Sequence, residues 1–230
     1  MKQLQNEVLL QRLCEETAFC GNFSFSVADG LSLWQAEPRE EILPQGELPG
    51  RLYYLVRGAV KLTQALANGK AVTLDLPRAP CFLGELELLC PQRTAVSVRA
   101  QTRCWLLGLE IDRYREKLLA DPVFLRKLCA ILAKKERLRA RALAQAQAYP
   151  LANRLALFIL AMAQGNRYRV RNVDACQFLG VSYRHLQQTM GDFVAQGLLQ
   201  KQAGEYRLAD LDRLRSLAAE PAQDWEGVLE

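Results

Sequence analysis

Residues 82–100 read FLGELELLCPQRTAVSVRA. A Gly84-Glu85-Leu86 turn comes a few residues before Arg93, Thr94 and Ala95, which open an alternating strand. One carboxylate, one guanidinium and a run of backbone N–H groups can together hold a sugar phosphate, or can be the outline of such a site with nothing in it. A second stretch, NVDACQFLGVSYRHLQQTMGDFV at 172–194, offers different chemistry. Gly180 lets two short helices meet, and the Ser182 hydroxyl is placed to accept from a backbone N–H one turn into the second. That is the pattern of a helix-turn-helix. With Leu186, Phe193 and Val194 expected inside, Tyr183, Arg184, Gln187 and Gln188 face outward. Arginine forms paired hydrogen bonds with guanine and glutamine with adenine, so these residues suit the reading of base edges in double-stranded DNA. Tyr183 fits a thymine methyl or a phosphate. His185 fits a phosphate or plain surface. After Gly197, LLQKQAGEYRL reads as two strands around an Ala-Gly turn, a wing on which Lys201 and Arg207 can meet a DNA backbone.

Other chemistry finds little support. The chain has 7 cysteines, an odd number, and no C-x-x-C pair. Buried thiols in a reducing compartment are the expectation, with Cys176 a small packing residue at the helix crossing. His185 is the 1 histidine of the chain, which removes most histidine-based catalysis and every multi-histidine metal site. No nucleophile–base pair, metal constellation or P-loop is in view, and no enzyme is expected.

The formal charge of +5 is unevenly spread. Residues 134–215 carry 14 Lys/Arg against 6 Asp/Glu, whereas residues 1–133 carry 16 against 15. The last 15 residues hold 4 acids and no base. A basic block confined to one segment is the footprint of a polyanion partner. No apolar run reaches the roughly 18 residues that span a bilayer. The opening MKQLQNEVLLQRLCEE carries acids and no small-residue cleavage site, so a cytoplasmic protein without membrane contact is expected.

The elements that must position these groups divide at Ile111. A short helical pattern (Val8, Leu9, Leu10, Leu13) comes first. From Leu31 to Leu109 short apolar runs such as LYYLV, AVKLT, AVTLDL, AVSVRA and CWLLGL alternate with turn signals, and Asn68-Gly69 marks a hairpin. Many short, evenly spaced strands predict an antiparallel barrel or jelly roll. Beyond Ile111 the pattern is helical. Asp121-Pro122 caps a long helix whose Phe124, Leu128, Ile131, Lys135, Leu138, Ala142 and Gln145 alternate at spacings of four and three. So narrow a seam favours a two-fold helix pair between chains over packing on the barrel. Tyr149-Pro150 ends that helix, and a broad stripe (Leu151, Leu155, Phe158, Ile159, Met162) reads as ordinary core.

Together EEILPQGE (40–47), LYYLVRGAVKL (52–62), FLGEL (82–86), RTAVSVRA (93–100), the long helix and LGVSYRHL (179–186) resemble the cyclic-AMP receptor protein / fumarate-nitrate reduction regulator (CRP/FNR) superfamily. The SYRHL segment resembles its YeiL-like branch. The resemblance implies an α+β chain: an N-terminal cyclic-nucleotide-binding-like β jelly roll (1–120), a dimerisation helix (121–147) and a C-terminal winged helix-turn-helix (148–230). It implies a homodimeric transcription regulator on a palindromic operator, modulated through its sensor, with RNA polymerase as a further partner and an effector of unknown identity. DNA contact falls to Ser182, Tyr183, Arg184, Gln187, Gln188 and Lys201, and effector contact to Gly84, Glu85, Leu86, Arg93 and Thr94.

Two departures weigh against a cyclic nucleotide. Glu87 stands where the family has a small residue, and the connection to Arg93 is about two residues shorter than in the cyclic-AMP receptor. An iron–sulfur cluster is disfavoured, because Cys14 and Cys20 do not make the tight cysteine cluster of the oxygen-sensing branch. In the reading helix the best-known branches carry Glu and, four residues on, Arg. Arg184 and Gln188 occupy those positions, which implies a different operator. The alternative from another class is a cyclic-nucleotide-binding regulatory subunit acting on a protein partner.

Overall fold

The computed structural model describes residues 1–69 and 71–223, and their side chains except at 141, 142 and 220–223. It separates into two compact units, Met1–Leu132 and Ala133–Glu230. The acidic residues at 224–230 and the seam position Ala142 lie outside what is described.

In the N-terminal unit two antiparallel sheets form a jelly-roll sandwich. The first has five strands: β1 (Lys2–Leu4), β2 (Leu31–Ala36), β9 (Cys104–Glu110), β4 (Arg51–Arg57) and β7 (Cys81–Leu83), hydrogen-bonded in that order. The second is β3 (Glu41–Leu43), β8 (Ser97–Ala100), β5 (Val60–Ala65) and β6 (Ala71–Asp75). β5 and β6 form the hairpin expected at Asn68-Gly69. Strand β4 shows why LYYLV is apolar throughout rather than alternating. Its Tyr53 and Leu55 join Val60, Leu62, Val98 and Leu106 in the core between the sheets. Its Leu52, Tyr54 and Val56 turn the other way, into a second core built with helices. A strand buried on both faces has no polar side to show.

That second core is made by α1 (Glu7–Glu16), α2 (Glu85–Leu89), α3 (Ile111–Ala120) and the start of α4 (Pro122–Ala148). Phe23 stacks on Phe124 at 5.6 Å between ring centroids, and Phe82 meets Phe124 edge-on at 5.9 Å. The first half of the α4 seam is therefore sensor core, because Phe124 and Leu128 are both 1% exposed within one chain. Further along, Leu138 is half-buried and Leu143 is 63% exposed. Val8 of α1, 81% exposed, is not a packing residue, and Leu13 and Cys14 carry the buried face instead.

The cap expected before α4 is present. Asp121 Oδ1 accepts from the Val123 N–H at 3.0 Å, and Oδ2 accepts from the Ser24 N–H at 2.8 Å. Burial pulls this carboxyl upward, but hydrogen bonds from Ser24, Val123 and Phe124 outweigh it and hold the pKa below the ordinary aspartate range.

The C-terminal unit packs α5 (Leu151–Met162) against α8 (Leu211–Gln223), around a helix pair and a small sheet described below. Among the described residues no helix is long and apolar enough to cross a membrane.

Asp121→Ala is expected to cost about 1 kcal/mol through loss of the cap. Asp121→Asn keeps an acceptor and removes only the charge. Because the folded pKa lies below the unfolded one, the charge stabilises above about pH 4, and its contribution is lost as pH falls through the folded value. Urea midpoints of the wild type and Asp121→Asn should differ at pH 7 and draw together as the pH is lowered below about 4.

Candidate nucleic-acid interface and sensor pocket

α6 (Asn172–Leu179) and α7 (Tyr183–Ala195) meet across Gly180, whose φ of +68° suits a residue without Cβ. The Cys176 carbonyl accepts from the N–H groups of both Gly180 and Val181, the latter at 3.1 Å. Ser182 Oγ accepts from the His185 N–H at 3.2 Å, as the sequence leads one to expect. α7 ends in a Schellman turn: Leu198 N–H reaches the Phe193 carbonyl at 2.9 Å, Gly197 N–H reaches Val194, and Gly197 has φ +76°.

Leu186, Met190 and Phe193 are at most 2% exposed and form the inner face of α7, with Thr189 between them. The sequence pattern places Val194 there too, but it is 36% exposed. The Met190–Phe193 pair already completes the inner stripe, and position 194 falls off it. Tyr183, Arg184 and Gln188 are exposed, and Arg184 and Gln188 make no hydrogen bond or ion pair among the described residues. Gln187 is half-buried and donates from Nε2 to the Tyr183 hydroxyl at 3.2 Å, so those two side chains lie together.

Other guanidinium groups hold this frame in place. Arg154 donates to the Tyr149 and Leu179 carbonyls at 3.1 and 3.0 Å, and Arg213 to the Gln196 carbonyl at 3.1 Å. Each satisfies a carbonyl that a helix end would otherwise leave open.

The predicted wing is present as β11 (Leu199–Gln202) and β12 (Glu205–Leu208). A strand that sequence reasoning did not find, β10 (Arg167–Tyr168), completes the sheet in the order β10-β12-β11. Lys201 is exposed and free of partners among the described residues. Tyr168 is buried with no partner for its hydroxyl, and burial pushes its phenol well up.

In the sensor, Gly84 (φ +87°) starts α2 and Glu85 is buried at 5% exposure. Leu86 is 44% exposed. Arg93 is exposed and gives Nη1 to the Gly46 carbonyl at 2.8 Å, while Thr94 gives its hydroxyl to the Pro44 carbonyl. Both bonds tie the shortened connection to the 44–47 turn. A cavity of about 130 Å³ beside this turn is lined by Glu47, Arg51, Tyr53 and, of the five predicted effector residues, Thr94. Burial, together with repulsion from Glu85, pushes the Glu87 carboxyl up. Cys14 lies within hydrogen-bonding reach of Cys20, and burial first, then Cys20, raises its thiol to about 11. In the absence of a metal such a thiol stays protonated at neutral pH.

A cyclic nucleotide-binding domain model matches residues 33–121. The chain is 38% identical over 217 residues to the Regulatory protein YeiL of Escherichia coli O157:H7, covering 94% of this chain and 99% of that one. The chain belongs to the CRP/FNR family, in its YeiL-like branch. It is also 26% identical over 127 residues to the cAMP-activated global transcriptional regulator CRP of Escherichia coli O6:H1, across 55% of this chain and 60% of that protein. A CRP/FNR-family transcriptional regulator of Thermus thermophilus superposes with a TM-score of 0.70 at 24% identity, over 81% of this chain and 98% of the other. These relatives are regulators rather than enzymes. The YeiL-like chain thus has the jelly roll, long helix and winged helix-turn-helix that its sequence implied.

Ser182→Ala is expected to lower the stability of the C-terminal unit by about 1 kcal/mol, as loss of a helix cap does. Ser182→Asn should restore it, since asparagine caps as well. Thermal unfolding monitored by circular dichroism checks both.

Proposed function

We propose that the protein is a sequence-specific transcription regulator that binds a palindromic operator as a homodimer and is modulated through its N-terminal unit. The observation that carries this reading is α7: a capped helix whose outer face presents Arg184 and Gln188 with no hydrogen bond or ion pair among the described residues. Free donors on a rigid helix suit base edges, because no internal bond must break before they engage. Ser182, Tyr183 and Gln187 flank them, and Lys201 on the wing supplies a backbone contact. The excess of 14 Lys/Arg over 6 Asp/Glu at 134–215 supports a polyanion partner.

Dimerisation falls to residues 121–147. Leu138 of the seam is half-buried on the distal half of α4 and Leu143, just off the seam, is 63% exposed, where a second copy of that helix would cover them. Residues 1–120 form the sensor and 148–230 the DNA-binding part. The protein works in the cytoplasm, and its family supports RNA polymerase as a further partner.

Cyclic AMP is not the effector in this reading. Arg93 is held by the Gly46 carbonyl, and Glu87 sets a second carboxyl beside Glu85. Adding cyclic AMP is expected to leave the thermal midpoint and operator affinity unchanged. A midpoint that climbs with nucleotide concentration would reinstate the cradle.

Selection of bound duplexes from a random pool supplies the operator. Arg184→Ala should then lose about 1–3 kcal/mol of discrimination at one base position, whereas Lys201→Ala should weaken all sequences alike. Unchanged preference at every base in Arg184→Ala would remove Arg184 from the reading residues. Affinity that does not fall with salt would sink the DNA-binding assignment and favour a regulatory subunit acting on a protein partner.

A further inference from the structure

Strand β10 sets Arg167 beside the wing, a placement that the sequence alone did not show. Arg167 stands directly opposite Arg207 in the antiparallel β10–β12 register. The neighbouring pair, Tyr168 opposite Tyr206, includes a tyrosine that is 1% exposed, so the arginine pair points away from the core. Like charges placed directly across an antiparallel pair destabilise it. Here the repulsion is only partly offset. Glu205, 12% exposed, takes Arg167 at 3.3 Å and Arg169 at 2.5 Å, one guanidinium on each carboxylate oxygen. Those two arginines remain 61% and 60% exposed, with the rest of their donors facing water. Arg207 is exposed and has no partner among the described residues.

Two guanidinium groups therefore share one carboxylate on a small sheet, and a third, that of Arg207, stands opposite Arg167 without one. Beside them is a concavity of about 440 Å³, lined by Gln164, Gly165, Asn166, Arg167, Gln202 and Arg207. Every side chain in that lining is an amide or a guanidinium, apart from the glycine. The floor is fixed, because the Leu208 N–H bonds the Asn166 carbonyl at 2.9 Å and Gln164 and Arg167 exchange backbone hydrogen bonds. A pre-positioned set of donors with surplus positive charge and no carboxylate in its lining fits one phosphate group.

We propose that this concavity seats a backbone phosphate of duplex DNA, held by Arg207 and Arg167, with Glu205 aligning Arg167 and Arg169 before DNA arrives. It rests on the DNA-binding function proposed above and adds a second backbone anchor to Lys201, on β10 beside the wing. The bound phosphate supplies the negative charge that the Arg167–Arg207 pair lacks.

The test compares the wild type, Arg207→Gln, Arg167→Gln and the double variant on the selected operator and on an unrelated duplex, across salt concentrations. The slope of log affinity against log salt is expected to shrink by about 1 in the double variant, for the one phosphate of the site, and by less in each single variant, with operator preference unchanged. Without DNA, Arg207→Gln is expected to raise the thermal midpoint, because the variant relieves the cross-strand repulsion. A purely structural arginine would do the opposite. Full retention of the salt slope in the double variant, or a lowered midpoint in Arg207→Gln, overturns the phosphate site while leaving the DNA-binding function standing. Salt-insensitive binding by the wild type overturns both. If inorganic phosphate, compared with chloride at equal ionic strength, raises the wild-type midpoint as much as duplex does, the site serves a free anion and its assignment to DNA fails.

Discussion

Between Cys176 and Ser182 the chain ends one helix, reverses and begins another, and the direction in which it emerges sets which face of α7 is exposed. The reversal rests on one carbonyl: that of Cys176 receives the N–H groups of both Gly180 and Val181. This pair of hydrogen bonds forms only if Gly180 takes a left-handed conformation, which a residue with a Cβ adopts at a cost of roughly 1–2 kcal/mol. Arg154 then ties the Leu179 carbonyl to the end of α4 at Tyr149, and Ser182 caps the outgoing helix. With both ends of the turn closed, α7 has one trajectory. Arg184 and Gln188 face outward because Leu186, Met190 and Phe193 occupy the opposite side.

The sensor shows the same device applied to a different end. The link before Arg93 closes on the 44–47 turn, with Arg93 Nη1 donating to the Gly46 carbonyl and the Thr94 hydroxyl to the Pro44 carbonyl. Arg115 does likewise for α2, donating to the Leu88 carbonyl at 3.1 Å. An outline of a ligand site can thus persist because its turn is needed by the barrel. Gly84 takes a φ of +87° to start α2.

Much of this was legible in the chain, for identifiable reasons. Strands of five or more residues between turn signals, the Asn68-Gly69 hairpin, the Asp121 and Ser182 caps and the Gly180 reversal each depend on local chemistry, and local chemistry is written in adjacent residues. What escaped was set by partners distant in sequence. β1, β3, β7 and β10 have three residues or fewer, too short for an alternating pattern, and exist because a longer strand offers them an edge. The α4 seam has one period but two roles. Periodicity reveals a stripe without saying that Phe124 and Leu128 already have Phe23 and Phe82 against them. Glu205, Arg167 and Arg169 were invisible as a group for the same reason: 36 or more residues of chain separate Glu205 from the arginines that the sheet sets beside it.

Guanidinium groups in this molecule therefore sort by what they have already bonded. Arg154, Arg213 and Arg115 commit donors to carbonyls at helix ends, where removal would leave an open acceptor, and their contribution is to stability. Arg184 and Arg207 commit none among the described residues. Holding a long charged side chain in the open contributes little to the isolated fold, and opposing Arg207 with Arg167 works against it. A position that weakens the free protein is useful only if some bound state offsets the loss. Burial and hydrogen-bond partners, taken together, thus separate the arginines that close helix ends from those left open among the described residues, a distinction that composition alone conceals.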